Sequence, residues 1–406
     1  MKIGFLGNTN NYPFIIAMKL QEMGCEVVLF IDAPAHETLH RPEHYTDKIK
    51  YPYPAWIKER HKLRNALFIH FPNIFLRNVI KELNTCDAVI LNDYGHRFKN
   101  FIKPDVLSIS IFSGADLEVM ADYDQVLQMK MASPKLWFML PFIKKMYARF
   151  SVDQLRKGIS KASLVSYFPA GIVPNDDKYL NEIFPAGNCP RFNHFHVITE
   201  DFKYMEPPDN EIFRIFSFTR FIWKMPFPPG VPMNSNKGND IMLKGIALFL
   251  KDYDQPLDIH FIEKGLHVQE SKELIESLGF SHMVTWHKEM PFKELQGHIG
   301  KADVVLEQIG THFISGGLYA MLKGRPLIGN ARPEIFDPLL QEKTAICHAL
   351  TPEDVCGWLQ KLTTDKSLLH EMGIRSREYV LKHFDINNET KYFFNFIEER
   401  INKKHV

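Results

Sequence analysis

The sequence has few cysteines and no apolar run long enough to cross a membrane. Only five of its 406 residues are cysteine, and none forms a CxxC pair or has a histidine at a spacing typical of zinc. Their odd number is typical of free thiols. The start, MKIGFLGNTNN, enters an apolar run directly, without the basic and apolar regions of a signal peptide. We therefore expect a cytoplasmic protein.

An excess of either charge is also missing. Lys and Arg together number 49 and Asp and Glu number 48, which leaves a formal net charge of +1. A protein whose main partner is nucleic acid usually carries a strong positive field that releases counterions, and this chain has none overall. We expect no nucleic-acid partner, although a local basic cluster is compatible with this balance.

The dinucleotide-binding fingerprint GxGxxG is absent as well. Gly4 and Gly7 lie inside the first apolar run and do not open a helix, so a nicotinamide cofactor is not indicated. Paired histidines of the HExxH type, which would indicate a metal site, are also missing from the sequence. The sequence therefore predicts neither a resident cofactor nor a metal centre.

What the sequence does contain is a regular alternation of short apolar runs and helical patterns. Residues 2–6 form an apolar run, residues 13–23 have helical spacing, and residues 26–31 form a second apolar run. This order is typical of a βαβ unit, and its repetition predicts an α/β fold with parallel sheets covered by helices. A chain of 406 residues is too long for one ordinary core and fits two domains of about 200 residues each.

The alternation is interrupted at residues 202–210, which include Pro207 and Pro208 and have no apolar periodicity. We predict the interdomain linker there. The expected units are a first domain at 1–205, a second at 211–385, and a final helix within 386–406. Two α/β domains joined in this way leave a cleft between them.

The most informative segment is residues 302–329, which combine an acidic residue, a glycine pair and a helix in one βαβ step. A short strand places Glu307 at its carboxyl end, where ligands collect in open parallel sheets. Ser315, Gly316 and Gly317 then precede a helix, and backbone N–H groups at a helix start suit a diphosphate. Alternatively, the glycines only permit a tight turn and Glu307 is a solvated strand end.

Two cations precede this segment in the chain. Arg220 follows the strand predicted at 213–217, and Lys237 comes just before the next helix, so both are expected at the cleft with Glu307. Two cations near a glycine loop are suited to the diphosphate expected there, since they stabilise negative charge on phosphates. The insert between them, residues 221–236, is rich in Pro, Met and aromatic residues and is predicted to form an added loop.

In the first domain the cleft candidates follow two predicted strands. Gly7, Asn8 and Asn11 follow the first strand, where a glycine would let a phosphate or an acceptor approach the backbone. Gly114 and Asp116 follow the strand at 106–111. Asp116 either accepts a hydrogen bond from a sugar hydroxyl or caps the helix that begins beside it, and the two roles are compatible.

The segment 302–329 resembles the C-terminal domain of retaining glycosyltransferases with the GT-B fold, of the family 4-like, "glycosyl transferases group 1" type. In that family an acidic strand end and a glycine loop precede a helix that begins Glu-Ala-Met and leads through Gly-x-Pro into a strand. Glu307, the pair Gly316-Gly317, Ala320-Met321 and Gly324-Arg325-Pro326 stand in those places. Tyr319 stands where the family has a second, ribose-binding acid, which puts a ribose contact in doubt.

This resemblance implies two Rossmann-like domains facing a cleft, with the C-terminal helix returning to the first domain. It implies catalytic roles for Arg220, Lys237 and Glu307, with the cations on the diphosphate and the acid on the sugar. The implied donor-binding residues are Ser315, Gly316, Gly317, Tyr319, His312 and Met290. Met290 is expected in a nucleoside-binding loop after the strand at 284–286, and His312 is either a donor contact or an ordinary surface histidine.

We therefore expect a glycosyltransferase that moves a sugar from a nucleotide-diphosphate donor to a carbohydrate or lipid-linked acceptor. The resemblance implies retention of configuration, a role in surface polysaccharide or glycoconjugate synthesis, and a nucleotide sugar as co-substrate without a metal. Two alternatives stay open. A nucleotide-sugar 2-epimerase would need no acceptor, and a non-catalytic nucleotide-sugar-binding protein would bind the donor without turnover.

One aromatic stretch, residues 136–150, carries Lys144, Lys145 and Arg149 among its apolar residues. Such a segment is compatible with an anionic lipid surface, which would place the protein at the inner face of a membrane. Pro141 interrupts the pattern, and a buried helix with a basic solvent edge is the alternative.

Overall fold

The computed structural model describes residues 1–32, 40–60, 63, 65–193, 197–228, 231, 235–310 and 316–404. In these residues the strands form two separate parallel sheets, one of seven strands and one of six. The first sheet takes its strands from residues 2–193 and the second from residues 213–348. The two α/β units expected from the alternation of the sequence are therefore confirmed.

The first sheet has the strand order β3-β2-β1-β4-β5-β6-β7. Its strands are β1 (Lys2–Leu6), β2 (Glu26–Ile31), β3 (Ile57–Glu59), β4 (Ala88–Asn92), β5 (Leu107–Ile111), β6 (Leu164–Tyr167) and β7 (Arg191–Asn193). The central strands are buried throughout, as expected for parallel strands that are covered on both faces. The strand order reverses between β1 and β4, so the connections that leave these two paired strands go to opposite faces of the sheet. Ligands bind in the crevice that forms at such a point.

The second sheet has the order β10-β9-β8-β11-β12-β13. Its strands are β8 (Phe213–Ser217), β9 (Leu257–Glu263), β10 (Val284–Lys288), β11 (Val304–Leu306), β12 (Leu327–Gly329) and β13 (Cys347–His348). Here the order reverses between β8 and β11, which pair in parallel through Ile215 and Val304. The segments that carry Arg220 and Glu307 leave the carboxyl ends of these two neighbouring strands.

Helices cover both faces of the two sheets. Those of the first unit are α1 (Tyr12–Glu22), α2 (Ala66–His70), α3 (Pro72–Phe75), α4 (Arg77–Leu83), α5 (Ala115–Glu118), α6 (Tyr123–Ala132), α7 (Pro141–Ile159) and α8 (Pro174–Ile183). Those of the second are α9 (Asn239–Phe249), α10 (Val268–Ser277), α11 (Phe292–Lys301), α12 (Gly317–Leu322), α13 (Pro333–Leu340), α14 (Pro352–Thr364) and α15 (Lys366–His383). No helix in the described residues is long and apolar enough to span a bilayer.

Pro141 does not interrupt a buried helix. It occupies the first turn of α7, where proline lacks no hydrogen bond that a helix needs. The side chain of Trp137, just before this helix, is 82% exposed, and Phe142 within it is 59% exposed. Helix α7 therefore buries one side, including Ala148 and Val152, but most of the large apolar side chains of residues 136–150 are exposed.

The segment between the units is held to the second one by a buried arginine. Residues 203–210 have no regular secondary structure. The guanidinium of Arg325, which is 1% exposed, donates hydrogen bonds to the carbonyl oxygens of Met205 and Glu206. The arginine of the Gly-Arg-Pro sequence therefore has a structural role in this chain.

The chain ends with helix α16 (Ile386–Lys404), which returns to the first unit as expected. Phe393 and Ile397 on this helix are fully buried in the core beneath β1 and β4, together with Phe14 of α1. The hydroxyl of Ser166, on β6, donates a hydrogen bond of 2.9 Å to the buried carboxylate of Glu389. The first unit is thus completed by residues from the opposite end of the chain.

Replacing Phe393 by alanine should therefore destabilise the first unit. Loss of a fully buried phenylalanine costs about 3–5 kcal/mol, because both the transfer energy and the packing are lost. Denaturant unfolding followed by circular dichroism measures this change. Asn395→Ala alters an exposed residue of the same helix and should leave stability unchanged; equal effects of both substitutions would contradict the docking of α16.

Candidate functional site

The loop after β8 is anchored by its backbone, which leaves the Arg220 side chain exposed at the carboxyl edge of the sheet. The N–H of Phe221 donates to the carbonyl of Lys264 at 2.7 Å, and the carbonyl of Phe221 accepts from the N–H of His267 at 2.9 Å. Gly265 lies against this backbone with φ +118°, and a Cβ there would come within 2.5 Å of Phe221. Arg220 therefore extends from a rigid base.

The backbone of Lys237 is fixed by hydrogen bonds of both its N–H and its carbonyl group. Its N–H donates to the carbonyl of Ile222 at 2.7 Å, and its carbonyl accepts from the N–H groups of Ile309 at 2.9 Å and Gly310 at 3.1 Å. A Cβ on Gly310 would lie 1.9 Å from the carbonyl oxygen of Asn236. The absence of a side chain at Gly310 thus lets the loop after β11 pack directly on the backbone that carries Lys237.

Glu307 immediately follows β11 and is 6% exposed. Its N–H donates to the carbonyl of Ile328 on β12 at 2.9 Å, which continues the strand pairing by one residue and fixes the start of its side chain. Two residues later, Ile309 donates to the Lys237 carbonyl. The same short segment therefore positions both the carboxylate and the lysine.

The charges of this site interact with one another. Burial and the neighbouring Arg220 guanidinium lower the pKa of the Lys237 ammonium to about 8, against the opposing effect of Glu307 and Glu118. The structure therefore brings together the three residues that the sequence singled out, Arg220, Lys237 and Glu307. A lysine with a lowered pKa beside a second cation is suited to an anionic ligand, which would relieve the repulsion.

The fourth charge, Glu118, belongs to the first unit and was missed by the sequence analysis. It lies on α5, only two residues after Asp116, and its electrostatic effect reaches Lys237 of the second unit. Glu118 also helps to raise the pKa of Asp176 to about 9, where burial is the main cause. The only signal in the sequence was a second acidic residue in the loop after β5.

The insert between Arg220 and Lys237 begins with a segment tied to α10. Nδ1 of the buried His267 accepts hydrogen bonds from the N–H groups of Trp223 at 3.0 Å and Lys224 at 3.2 Å. The indole N–H of Trp223 donates to Ser271 at 2.9 Å. These bonds hold the first part of the insert against the start of α10, and residues 229–230 and 232–234 lie outside the described part.

The six-residue helix α12 begins at Gly317, with Gly316 directly before it, which is one residue earlier than the start expected from the sequence. Their lack of a side chain is needed for packing, because a Cβ would lie 2.6 Å from Phe218 at Gly316 and 2.5 Å from Leu327 at Gly317. His312 and Ser315 lie outside the described residues. The two glycines therefore have a packing role whether or not their N–H groups contact a donor.

Tyr319, in the first turn of α12, makes a contact between the two units. Its hydroxyl is 2.9 Å from the hydroxyl of Tyr45, which belongs to the first unit. Its ring lies 4.8 Å from Phe202 and 4.7 Å from Phe292, measured between ring centroids. Burial raises the pKa of Tyr319 above its ordinary value, so the phenol stays neutral. Tyr319, which stands where the glycosyltransferases that the sequence resembles have a second acid, therefore contacts the first unit.

Met290 follows β10 and packs partly buried against the core of the second unit. The loop expected at residues 287–290 is shorter than predicted, because β10 continues through His287 and Lys288, which pair with β9. His287 lies within a group of three histidines, and its Nε2 is 2.8 Å from Nδ1 of His260. The expectation that residues 287 and 288 belong to a base-binding loop is therefore wrong.

Gly7, Asn8 and Asn11 do lie at the carboxyl end of β1, but the asparagine side chains are buried in structural hydrogen bonds. The Asn8 amide oxygen accepts from the N–H of Phe14 at 3.0 Å, and its amide nitrogen donates to Asn11 at 2.8 Å. Gly7 has φ +90°, and a Cβ there would lie 2.2 Å from the carbonyl oxygen of Asn92. These three residues shape the end of the strand.

Asn92, which the sequence analysis did not single out, holds the neighbouring loops together. Its amide nitrogen donates to the Ile111 carbonyl at 3.0 Å and to the Ser113 hydroxyl at 2.7 Å, and its amide oxygen accepts from the N–H of Thr9 at 2.9 Å. The ends of β1, β4 and β5 are therefore joined by one side chain. An asparagine at the end of an apolar run was the available signal.

The carboxylate of Asp116 stabilises the loop that precedes α5. It accepts from the N–H of Ser113 at 2.9 Å and lies 3.3 Å from Nε2 of the fully buried His96. Gly114, directly before α5, has φ +113°, a conformation that favours glycine. Asp116 lies inside α5, which begins at Ala115 and has no side-chain cap, so the expectation that Asp116 caps this helix is wrong. No group of three or more His, Cys, Asp or Glu suited to a metal occurs in the described residues.

The hydroxyl contact between Tyr45 and Tyr319 predicts a measurable coupling across the two units. Tyr45→Phe and Tyr319→Phe should each lower stability, whereas the double variant should cost less than their sum, because neither hydroxyl is left behind alone. The expected coupling energy is about 1 kcal/mol, that of an ordinary hydrogen bond. Unfolding measurements on the four proteins give it, and strictly additive effects would argue against the contact.

Comparisons with known proteins give the identity of the fold. No protein-family model and no curated protein sequence matches the chain. Sucrose-phosphate synthase from Thermosynechococcus elongatus is 11% identical over 99% of this chain and 100% of its own, with a TM-score of 0.62. HepE from Anabaena, solved with UDP and glucose, is 13% identical over 98% and 100%, also with a TM-score of 0.62.

The lipopolysaccharide outer core galactosyltransferase WaaB, in its apo form, is 14% identical over 100% of both chains, with a TM-score of 0.53. At such low identity the likeness establishes the fold alone. The match extends over almost the whole chain in each case, and includes both sheets and the returning helix. The chain therefore has the two-domain GT-B fold that its resemblance to glycosyltransferases implied.

Proposed function

We propose that this protein is a glycosyltransferase that transfers a sugar from a nucleotide-diphosphate donor to a glycan acceptor. The observation that carries the proposal is the position of Lys237, which interacts with both Arg220 and Glu307 at the carboxyl edge of the second sheet. The likeness in fold to HepE, which was solved with UDP-glucose, supports a nucleotide sugar as donor.

In the proposed reaction, Arg220 and Lys237 bind the diphosphate and stabilise the charge that develops as the bond to the sugar breaks. Glu307 orients the sugar, since its carboxylate can accept hydrogen bonds from sugar hydroxyl groups. The acceptor would enter from the first unit, where Glu118 faces the same charges. Transfer with retention, without a separate metal ion, follows the glycosyltransferases that the sequence resembles.

The finer parts of the proposal concern the acceptor. We propose a carbohydrate or lipid-linked glycan, in the synthesis of a surface polysaccharide or glycoconjugate, and a protein that works at the cytoplasmic face of a membrane. The acceptor requirement separates this function from a nucleotide-sugar 2-epimerase, which would convert the donor by itself. A protein that only binds nucleotide sugars would show no turnover with any acceptor.

Removing either cation should weaken the binding of UDP. A charge-assisted hydrogen bond contributes about 1.5–3 kcal/mol, so Arg220→Ala and Lys237→Ala should each lower the affinity about 10- to 100-fold. Isothermal titration calorimetry measures the affinity, and thermal unfolding shows that each variant is folded. Lys251→Ala removes an exposed lysine of the same unit as a control. Wild-type affinity in both site variants would refute the proposed diphosphate site.

The binding of UDP should also depend on pH through Lys237. Its pKa is about 8 in the free protein, and a bound diphosphate would raise it by opposite charge. Affinity should therefore be full below pH 8 and should fall as pH rises above it, by about tenfold per unit at most. Calorimetry at pH 8 in buffers of different ionisation enthalpy should show proton uptake. Lys237→Arg should abolish the uptake, and an unchanged uptake in that variant would assign it to another group.

A further inference from the structure

One face of the first unit exposes far more apolar surface than the rest of the molecule. Of the described residues, 23 large apolar side chains are exposed, and twelve of them lie at residues 67–75 and 131–150. The exposed fraction is 82% for Trp137, 70% for Ile74, 68% for Met146 and 67% for Phe138. A contiguous apolar patch of this kind usually marks a binding surface.

The two segments form a single surface, although they are distant in the sequence. The ring of His70, on α2, lies 5.7 Å from Tyr147 and 5.0 Å from Phe150, both on α7. The ring of Phe71 stacks on Phe150 at 6.3 Å. Burial, with Arg97 nearby, lowers the pKa of His70 to about 4, so this histidine is neutral at the junction. We name the surface formed by residues 67–75 and 131–150 the aromatic face.

Helix α7 shows that this exposure is built into the sequence. Ala148, Val152 and Leu155 form its inner stripe and are buried against the core. Phe142, Met146 and Phe150, spaced by four residues, form a second apolar stripe that is exposed. A helix that only packs on its own domain needs one apolar stripe. The second stripe is therefore explained by contact with something outside the chain.

The Lys and Arg residues within the aromatic face have no acidic neighbours in the same segments. Residues 67–75 contain no Asp, Glu, Lys or Arg, and residues 131–150 contain four Lys or Arg and no Asp or Glu. The whole chain, in contrast, balances 49 basic against 48 acidic residues. Lys135, Lys145 and Arg149 are exposed beside the apolar side chains, whereas Lys144 is buried. The partner of this face is therefore both apolar and negatively charged.

We propose that the aromatic face docks the protein on the surface of an anionic lipid bilayer. Exposed Trp and Phe side chains enter the interface of a bilayer, and neighbouring Lys and Arg side chains attract its acidic headgroups. Two copies of this face would oppose like charges, which disfavours self-association. Aliphatic anchors such as Ile74 and Met146 offer no ring for base stacking, which disfavours nucleic acid.

The topology places this face toward the cleft. Helix α7 connects β5 to the parallel strand β6, so it runs from the carboxyl edge of the sheet back to the amino edge. Its exposed half is its first half, nearest to the carboxyl edge, where α5 presents Glu118. If the proposed transfer reaction is correct, docking through this face brings the acceptor side of the cleft close to lipid-linked substrates.

Sedimentation with vesicles of phosphatidylcholine, with and without phosphatidylglycerol, tests the docking. Wild-type protein should sediment with the anionic vesicles, more strongly at low salt, and should remain in the supernatant when the vesicles are neutral. Each basic residue near an anionic surface raises the affinity for the membrane about fivefold. Lys145→Glu with Arg149→Glu should therefore weaken vesicle binding about 25-fold or more. Trp137→Ser with Phe138→Ser should weaken it about tenfold or more.

Matched controls alter the second unit instead. Lys251→Glu with Lys366→Glu and Leu266→Ser with Leu350→Ser change two exposed basic and two exposed apolar residues, and should leave vesicle binding intact. Lys237→Ala should also bind vesicles normally, so failure of the nucleotide site and failure of docking are distinguishable. Wild-type protein that stays in solution with all vesicles, or control pairs that lose binding equally, would overturn the proposal. So would a lipid-free dimer that the Trp137 and Phe138 substitutions dissociate.

Discussion

The candidate site depends on one close contact between two backbone segments. The loop after β11 donates two hydrogen bonds to the carbonyl of Lys237, and this is possible because Gly310 has no side chain to separate them. This contact fixes the position of Lys237 relative to Glu307, although the two residues lie in connections that follow different strands, β8 and β11. Lys237 is thereby held in a partly buried position where its charge is costly, and this cost is the reason why an anionic ligand is expected.

The relation between the two units rests on aromatic packing. Tyr45 of the first unit contacts Tyr319 and stacks on Phe292 at 5.7 Å, while Phe202 from the end of the first unit joins the same group. An acidic residue at position 319 would be buried among these rings without compensation. Tyrosine, where the glycosyltransferases that the sequence resembles have a second acid, is therefore consistent with its surroundings.

The overall fold could be predicted from the sequence because parallel α/β units repeat a simple pattern. Apolar runs such as residues 26–31 and 88–91 are buried on both faces and are recognisable without tertiary information. The proximity of Lys237 to Arg220 and Glu307 could be predicted, because all three lie in connections that leave the carboxyl ends of neighbouring parallel strands.

The remaining features depend on contacts between distant parts of the chain. Nothing local distinguishes Glu118 from a solvated acid, since its relation to Lys237 exists only after the two units meet. Likewise, Asn8 and Asn11 follow a strand just as cleft residues do, but their side-chain amides form hydrogen bonds within their own loop. The end of β10 was misplaced because His287 and Lys288 are polar, and their pairing with β9 is a tertiary effect.

The central claim is that the two cations and Glu307 form the site for a sugar nucleotide. The most direct measurement is a crystal structure of the protein with UDP bound. The account predicts that the diphosphate contacts the side chains of both Arg220 and Lys237, with its terminal phosphate directed toward Glu307. A nucleotide bound elsewhere, or bound in the cleft without contact to either cation, would contradict it.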